Sequence, residues 1–102
     1  MGSDLDSTTR HWTFLSNHGH VLVCLAREPD SRLRDVASRV GITERAVQKI
    51  LGDLEAAGIV HRERRGRRNR YRLDAGQPLR HPLEAHCSVG SLLEMVLSDR
   101  RG

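Results

Sequence analysis

Cysteine, aromatic side chains, lysine and long apolar runs are all scarce in this chain, and most of these scarcities exclude something. Two cysteines in 102 residues, Cys24 and Cys87, are too few and too far apart for a disulfide framework, which points to a reducing compartment. No stretch approaches the roughly eighteen apolar residues of a membrane span, and the N-terminus M-G-S-D-L-D is acidic where a secretory signal is basic. A cytoplasmic location is therefore expected. With 37% apolar residues and only Trp12, Phe14 and Tyr71 as aromatics, the interior must be built from Val, Leu, Ile and Ala, which suits small helical packing better than a large sheet. Lysine occurs once, at Lys49, against sixteen arginines, a bias of the kind genome base composition produces. A phosphate-cradling glycine loop, a serine nucleophile elbow and paired carboxylates in one pocket pattern are all missing, so no catalytic residue is assigned and no enzyme is expected. The length fits a single domain.

What is abundant is arginine, and it is concentrated. Seven arginines fall within the eleven residues 62–72 (R-E-R-R-G-R-R-N-R-Y-R), where Glu63 is the one acid. That segment carries a net charge of +6, and the rest of the chain, with ten basic and twelve acidic residues, sums to −2. A near-neutral body with one cationic arm is the electrostatic footprint of a protein that grips a phosphate backbone.

Periodicity and punctuation divide the chain. Residues 1–11 are polar and aperiodic and are expected to form a flexible tail that tightens where Trp12, Phe14 and Leu15 dock on the core. From Ser16 or Asn17 the helical spacing of Val21, Leu22, Leu25 and Ala26 predicts a first helix ending before Pro29. Arg32 to Arg34 can pair briefly as a strand. A second helix is expected over 34–40, with Val36, Ala37 and Val40 inward, ending at Gly41. A third is expected over 44–57, with Thr43 as N-cap and Gly58 closing it. On a helical projection Ala46, Val47, Ile50, Leu51 and Leu54 occupy one face, and Arg45, Gln48, Lys49, Gly52 and Asp53 the other. Ile59–Arg64 and Asn69–Leu73 read as a hairpin around a turn at Arg65–Arg68, with Gly66 available for positive φ. After an irregular stretch, Ser88 opens a last helix bearing Val89, Leu92, Leu93, Val96 and Leu97.

Helix, short strand, helix, the turn Gly41-Ile42-Thr43, helix and hairpin is the order of a winged helix-turn-helix. The stretch R-L-R-D-V-A-S-R-V-G-I-T-E-R-A-V-Q-K-I-L-G-D-L-E-A-A-G-I-V-H-R-E-R, residues 32–64, resembles the DNA-binding core of small bacterial transcriptional regulators of the MarR and ArsR type. It matches in the V-A of the second helix, the G-I-T turn, the L-x-x-x-G-I-V exit and the E-R entering the wing. The resemblance implies a mainly α fold with a small β-hairpin (α+β): a three-helix core, a wing and a C-terminal dimerisation helix. The domain division expected is a tail over 1–11, a winged helix-turn-helix over 12–76, and a linker with the C-terminal helix over 77–102.

Duplex DNA suits these residues. A helix fits the major groove, where Arg bonds guanine O6 and N7 and Gln bonds adenine N6 and N7. Arg45 and Gln48 are the expected readers of sequence, with Lys49 on guanine or phosphate, and Thr43 and Glu44 at the helix start as cap and dipole partner or as contacts to phosphate and cytosine. In the wing, Arg65, Arg67 and Arg68 form the tip, flanked by Arg62, Arg64, Arg70 and Arg72, and the hairpin is expected on the backbone or in the minor groove. The stripe Val89, Leu92, Leu93, Val96 and Leu97 is expected to pair with a second copy, or else to pack on the first helix of its own chain. Pairing would place two reading helices about 34 Å apart, on an inverted repeat. His18, His20, Cys24, His81, His86 and Cys87 are metal-ligand types at spacings that define no site, so no metal and no cofactor is assigned. The expected protein is a DNA-binding repressor, cytoplasmic and nucleoid-associated. The alternatives are a winged-helix module that docks on another protein, and a metal-responsive sensor of ArsR type.

Overall fold

The computed structural model describes residues 12–98. The tail expected over 1–11 lies outside them, as do residues 99–102. Helix α1 (Asn17–Arg27) begins where Ser16 Oγ accepts from the Gly19 N–H at 3.3 Å, satisfying a donor that the first turn leaves unpaired. It stops two residues short of Pro29, which cannot continue a helical ladder.

The short strand expected over Arg32 to Arg34 does not form, because α2 (Leu33–Val40) already includes Leu33 and Arg34. Leu33 packs against the core alongside Val36, Ala37 and Val40, so the inward stripe of α2 extends one turn further than the sequence reading allowed. Packing that half-buried side chain on the core outweighs a three-residue strand pairing.

Helix α3 (Glu44–Ala56) is set by local chemistry at both ends. Thr43 Oγ1 accepts from the Ala46 N–H at 3.0 Å. At the other end the Gly58 N–H donates to Glu55 O at 3.0 Å and the Ile59 N–H to Leu54 O at 2.9 Å, with Gly58 at φ 74°. This is the Schellman arrangement, in which a left-handed residue lets two terminal carbonyls find donors and brings Leu54 and Ile59, both buried, together.

Strands β1 (Val60–Arg65) and β2 (Arg68–Leu73) pair antiparallel from Val60↔Leu73 to Arg65↔Arg68. Pairing runs one residue further towards the tip than expected and leaves a two-residue turn, Gly66–Arg67. Gly66 sits at φ 61°, the positive value that primed hairpin turns require at their first position. Opposed residues share a face, so Val60 and Leu73, then Arg62 and Tyr71, lie together, while Glu63 and Arg70 lie on the other side.

Between the hairpin and the last helix the chain is tied at its neck: Val89 N–H donates to Gln77 O at 2.8 Å, Gly90 N–H to Ala75 O at 2.9 Å, and Leu79 N–H to Cys87 O at 2.9 Å. Helix α4 (Val89–Leu97), capped by Ser88 Oγ, then packs on α1 of the same chain. One apolar cluster joins Val21, Leu25, Val36, Val47, Leu51, Val60, Val89 and Leu93, so the core is continuous across residues 76 and 77. Trp12 and Phe14 do not dock on it as expected. They stand 78% and 93% exposed and meet each other edge to face at 5.0 Å, while Leu15 alone turns in against Gly19. The inner face of α1 is taken by α2, α3 and α4, and the two rings pack on each other instead. Among the described residues no helix is long and apolar enough to cross a membrane.

Candidate nucleic-acid interface

The division of α3 into two faces holds in three dimensions. Val47, Ile50, Leu51 and Leu54 are buried, whereas Thr43, Glu44, Arg45, Gln48, Lys49, Gly52 and Asp53 are exposed. The Thr43 hydroxyl is committed to its cap. Lys49 Nζ lies 3.6 Å from Asp53 Oδ2, which also accepts a hydrogen bond of 2.8 Å from His18 Nε2 on α1. That hydrogen bond, with a smaller contribution from Lys49, holds the Asp53 carboxyl below its ordinary pKa. The side chains of Arg45 and Gln48 make no hydrogen bond or ion pair with another described residue. With no partner among the described residues, Arg45 and Gln48 have their full bonding capacity available to a ligand.

Gly52 sits in the middle of this face, and a Cβ built there meets nothing within 4 Å. The protein's own packing therefore has no use for a glycine that weakens the helix. Gly52→Ala is expected to raise stability by about 1 kcal/mol, a gain of roughly 4–8 °C in melting temperature for a domain of this size. Thermal unfolding checks this, and a lower melting temperature would mean that the face is not open.

The wing arginines separate into two groups. Three are engaged near the base: Arg62 donates through Nε and Nη2 to the Glu55 carboxylate at 3.2 and 3.1 Å, Arg70 Nη1 bridges both carboxylate oxygens of Asp30 at 3.2 Å, and Arg72 Nε reaches Glu63 Oε2 at 3.1 Å. Arg62 also lies 6.0 Å from the centroid of the buried Tyr71 ring, within cation–π range. The other four cluster at the tip. Arg64 Nε donates to Gly66 O at 2.8 Å, Arg68 Nη2 to Asp30 O at 2.6 Å, and Arg65 lies a loose 3.8 Å from Glu63. Arg67 has no partner among the described residues. Exposed pairs of this kind contribute about 0–1 kcal/mol each, so they orient the hairpin more than they stabilise it. Asp30, Glu55 and Glu63 were not singled out by sequence. Glu63 carried a cue, being the one acid inside the cluster at cross-strand spacing, whereas Asp30 lies 38 and 40 positions from its partners and no local pattern marks it.

The stripe expected for pairing is partly used within the chain. Val89 and Leu93 are buried against the core, Leu92, Val96 and Leu97 are half-buried, and Met95 beside them is exposed. The metal-type residues are dispersed: His18 bonds Asp53, His20 Nδ1 lies 3.2 Å from Asn17 Oδ1, and His81 Nδ1 accepts from the Leu83 N–H. Burial pushes the Cys24 thiol pKa up, disfavouring the thiolate that a metal or an oxidant needs. No cluster of three potential ligands occurs among the described residues.

The family model described as sugar-specific transcriptional regulator TrmB matches residues 16–74, more than half of the chain. The match opens at the N-cap of α1 and closes just after β2, so it covers α1, α2, α3 and the wing and leaves α4 outside. No curated protein matches the chain. The resemblance to MarR- and ArsR-type regulators is thereby narrowed to the shared winged-helix core.

Proposed function

Because the chain belongs to the TrmB family of transcriptional regulators, a winged-helix DNA-binding family, we propose that it reads duplex DNA with Arg45, Gln48 and Lys49 of α3 in the major groove. Thr43 sits at the phosphate edge of that groove, Glu44 faces cytosine N4, and the wing tip lies on the backbone or in the adjacent minor groove. The observation that carries the reading is that Arg45 and Gln48 stand exposed on α3 without a partner among the described residues, in one chain with an arginine tip where Arg67 also has none and Arg65 only a loose approach to Glu63. The arginines near the base, Arg62, Arg70 and Arg72, hold the hairpin and add to its field. The mode proposed is repression by occluding a promoter, in the cytoplasm.

The protein acts as a homodimer in this proposal. Leu92, Val96 and the exposed Met95 offer apolar surface that α4 does not spend on its own core, while Leu97 packs partly against that core and edges the surface. Two copies would present two reading helices about 34 Å apart, one turn of B-DNA. Selection from a random duplex pool tests both parts at once. An inverted repeat is expected, and recovery of a single half-site would remove the dimer from the proposal.

On the selected duplex, Arg45→Ala and Gln48→Ala are each expected to cost about 1–3 kcal/mol of discrimination at one base position while leaving binding to unrelated duplex nearly unchanged. Titrations of both duplexes measure it, and an equal loss on both would end the assignment of these residues to base reading. Weak, salt-insensitive binding by the unmodified chain would favour a protein-docking module instead. The family's description names sugars, so sugars are the small molecules to add to the same titration.

A further inference from the structure

The strand missing between α1 and α2 leaves the outer edge of β2 to be held in another way. Three contacts from β2 converge on the turn Pro29–Asp30: the Tyr71 N–H donates to Pro29 O at 3.0 Å, Arg68 Nη2 to Asp30 O at 2.6 Å, and Arg70 Nη1 to both Asp30 carboxylate oxygens at 3.2 Å. The first lies at the core end of the hairpin, where Tyr71 is buried, and the second lies next to the turn at the tip. The receiving turn is itself stiff. The Ser31 N–H and Oγ both donate to Glu28 O, at 3.0 and 2.7 Å, with Ser31 nearly buried, and Glu28 in turn accepts from Arg39 of α2 at 2.7 Å. Proline fixes its own φ at the start of the turn. On the opposite flank β1 is held to α3 by Arg62 and Glu55. The hairpin is thus braced on both sides, and its free end is the Gly66–Arg67 turn.

We propose that Asp30 is a positioning residue for DNA binding: its side chain, through Arg70, sets the angle at which the wing tip stands relative to α3. This rests on the functional reading above and deepens it. An acid beside a DNA-binding surface would ordinarily weaken binding, since it competes with phosphate for arginine. Two surfaces that must engage one duplex together gain from being held at a fixed separation, because the second contact then forms at high effective concentration. The two effects of Asp30 have opposite signs. In the positioning role the brace outweighs the repulsion, and removing the carboxylate lowers affinity even though it removes a negative charge.

The test uses the full chain with Asp30→Asn, Asp30→Glu, Arg70→Ala and the Asp30→Asn/Arg70→Ala double variant. With trypsin as a probe of the wing and mass mapping of the first cuts, Asp30→Asn and Arg70→Ala are each expected to speed cleavage within residues 62–72 about fivefold. The melting temperature should hardly move, since each pair is exposed. On the selected duplex Asp30→Asn is expected to lose about tenfold in affinity, Asp30→Glu to recover most of it, and the double variant to lose no more than Arg70→Ala alone, the signature of residues acting as one unit. Wing cleavage at the unmodified rate would overturn the proposal. So would tighter binding of Asp30→Asn to every duplex with a steeper salt dependence, the behaviour of a simple competitor for arginine. If the unmodified chain binds no duplex, the functional reading fails by itself, and the trypsin comparison still decides whether Asp30 braces the wing.

Discussion

Replacing Arg65 and Arg67 together by alanine is expected to weaken binding to every duplex alike, by roughly 10- to 100-fold near physiological salt, with sequence preference retained. The physical basis is counterion release: each phosphate contact contributes about −0.9 to the slope of log affinity against log salt. If two wings in a dimer make around six such contacts, the unmodified slope is about −5, and losing two arginines per wing brings it to between about −1 and −2. Arg65 and Arg67 are chosen because they are the least committed side chains of the cluster. Arg67 has no partner among the described residues, and Arg65 only a 3.8 Å approach to Glu63. Arg72→Ala is the natural control, since its Nε is held by Glu63 at 3.1 Å and its loss should flatten the slope less. Filter binding or fluorescence anisotropy at several salt concentrations provides the slopes. Equal flattening by all three substitutions would mean that the base pairs open on binding and that the division between base and tip has no functional content.

Leu51→Ala should be the most damaging single truncation on α3. Leu51 is 1% exposed and sits on the inner face, opposite the reading residues, in the cluster shared by α1, α2 and β1. Removing most of a buried leucine costs about 2–5 kcal/mol, the lost transfer energy plus the cavity left behind. Small domains have about 5–15 kcal/mol in total, so the variant is expected to melt at least about 8 °C lower, from roughly 4–8 °C per kcal/mol. Urea or thermal unfolding followed by circular dichroism measures it. A loss below about 1 kcal/mol would contradict the packing of α3 described here. The same substitution should impair DNA binding only as far as it unfolds the chain, because Leu51 does not reach the exposed face.

The helices and their ends were legible in the chain itself because their signals are local. Ser16, Thr43 and Ser88 bond to N–H groups three residues away, and Gly58 answers a conformational demand arising within one turn. The two faces of α3 were equally legible, since a helical repeat sorts Val47, Ile50, Leu51 and Leu54 from Arg45, Gln48 and Lys49 without reference to anything distant. The hairpin was found from its turn glycine and from the alternation of Tyr71 and Leu73. Its register, Arg64 opposite Asn69, is the expected one, and the ladder is one pair longer at the tip, where arginine follows arginine and side-chain pattern does not mark where pairing stops.

By itself, then, the sequence determined the kinds of element, their order, the inner and outer faces of α3 and the concentration of positive charge in one arm, all of which depend on spacing along the chain. Only the tertiary structure decided which charges are spent and which remain. Asp30 takes Arg70 from 40 positions away, Glu55 takes Arg62, and α4 gives Val89 and Leu93 to its own core while Trp12 and Phe14 stay outside it. A charged side chain or an apolar stripe carries no record of its partner, because that choice depends on where separate elements come to rest in space.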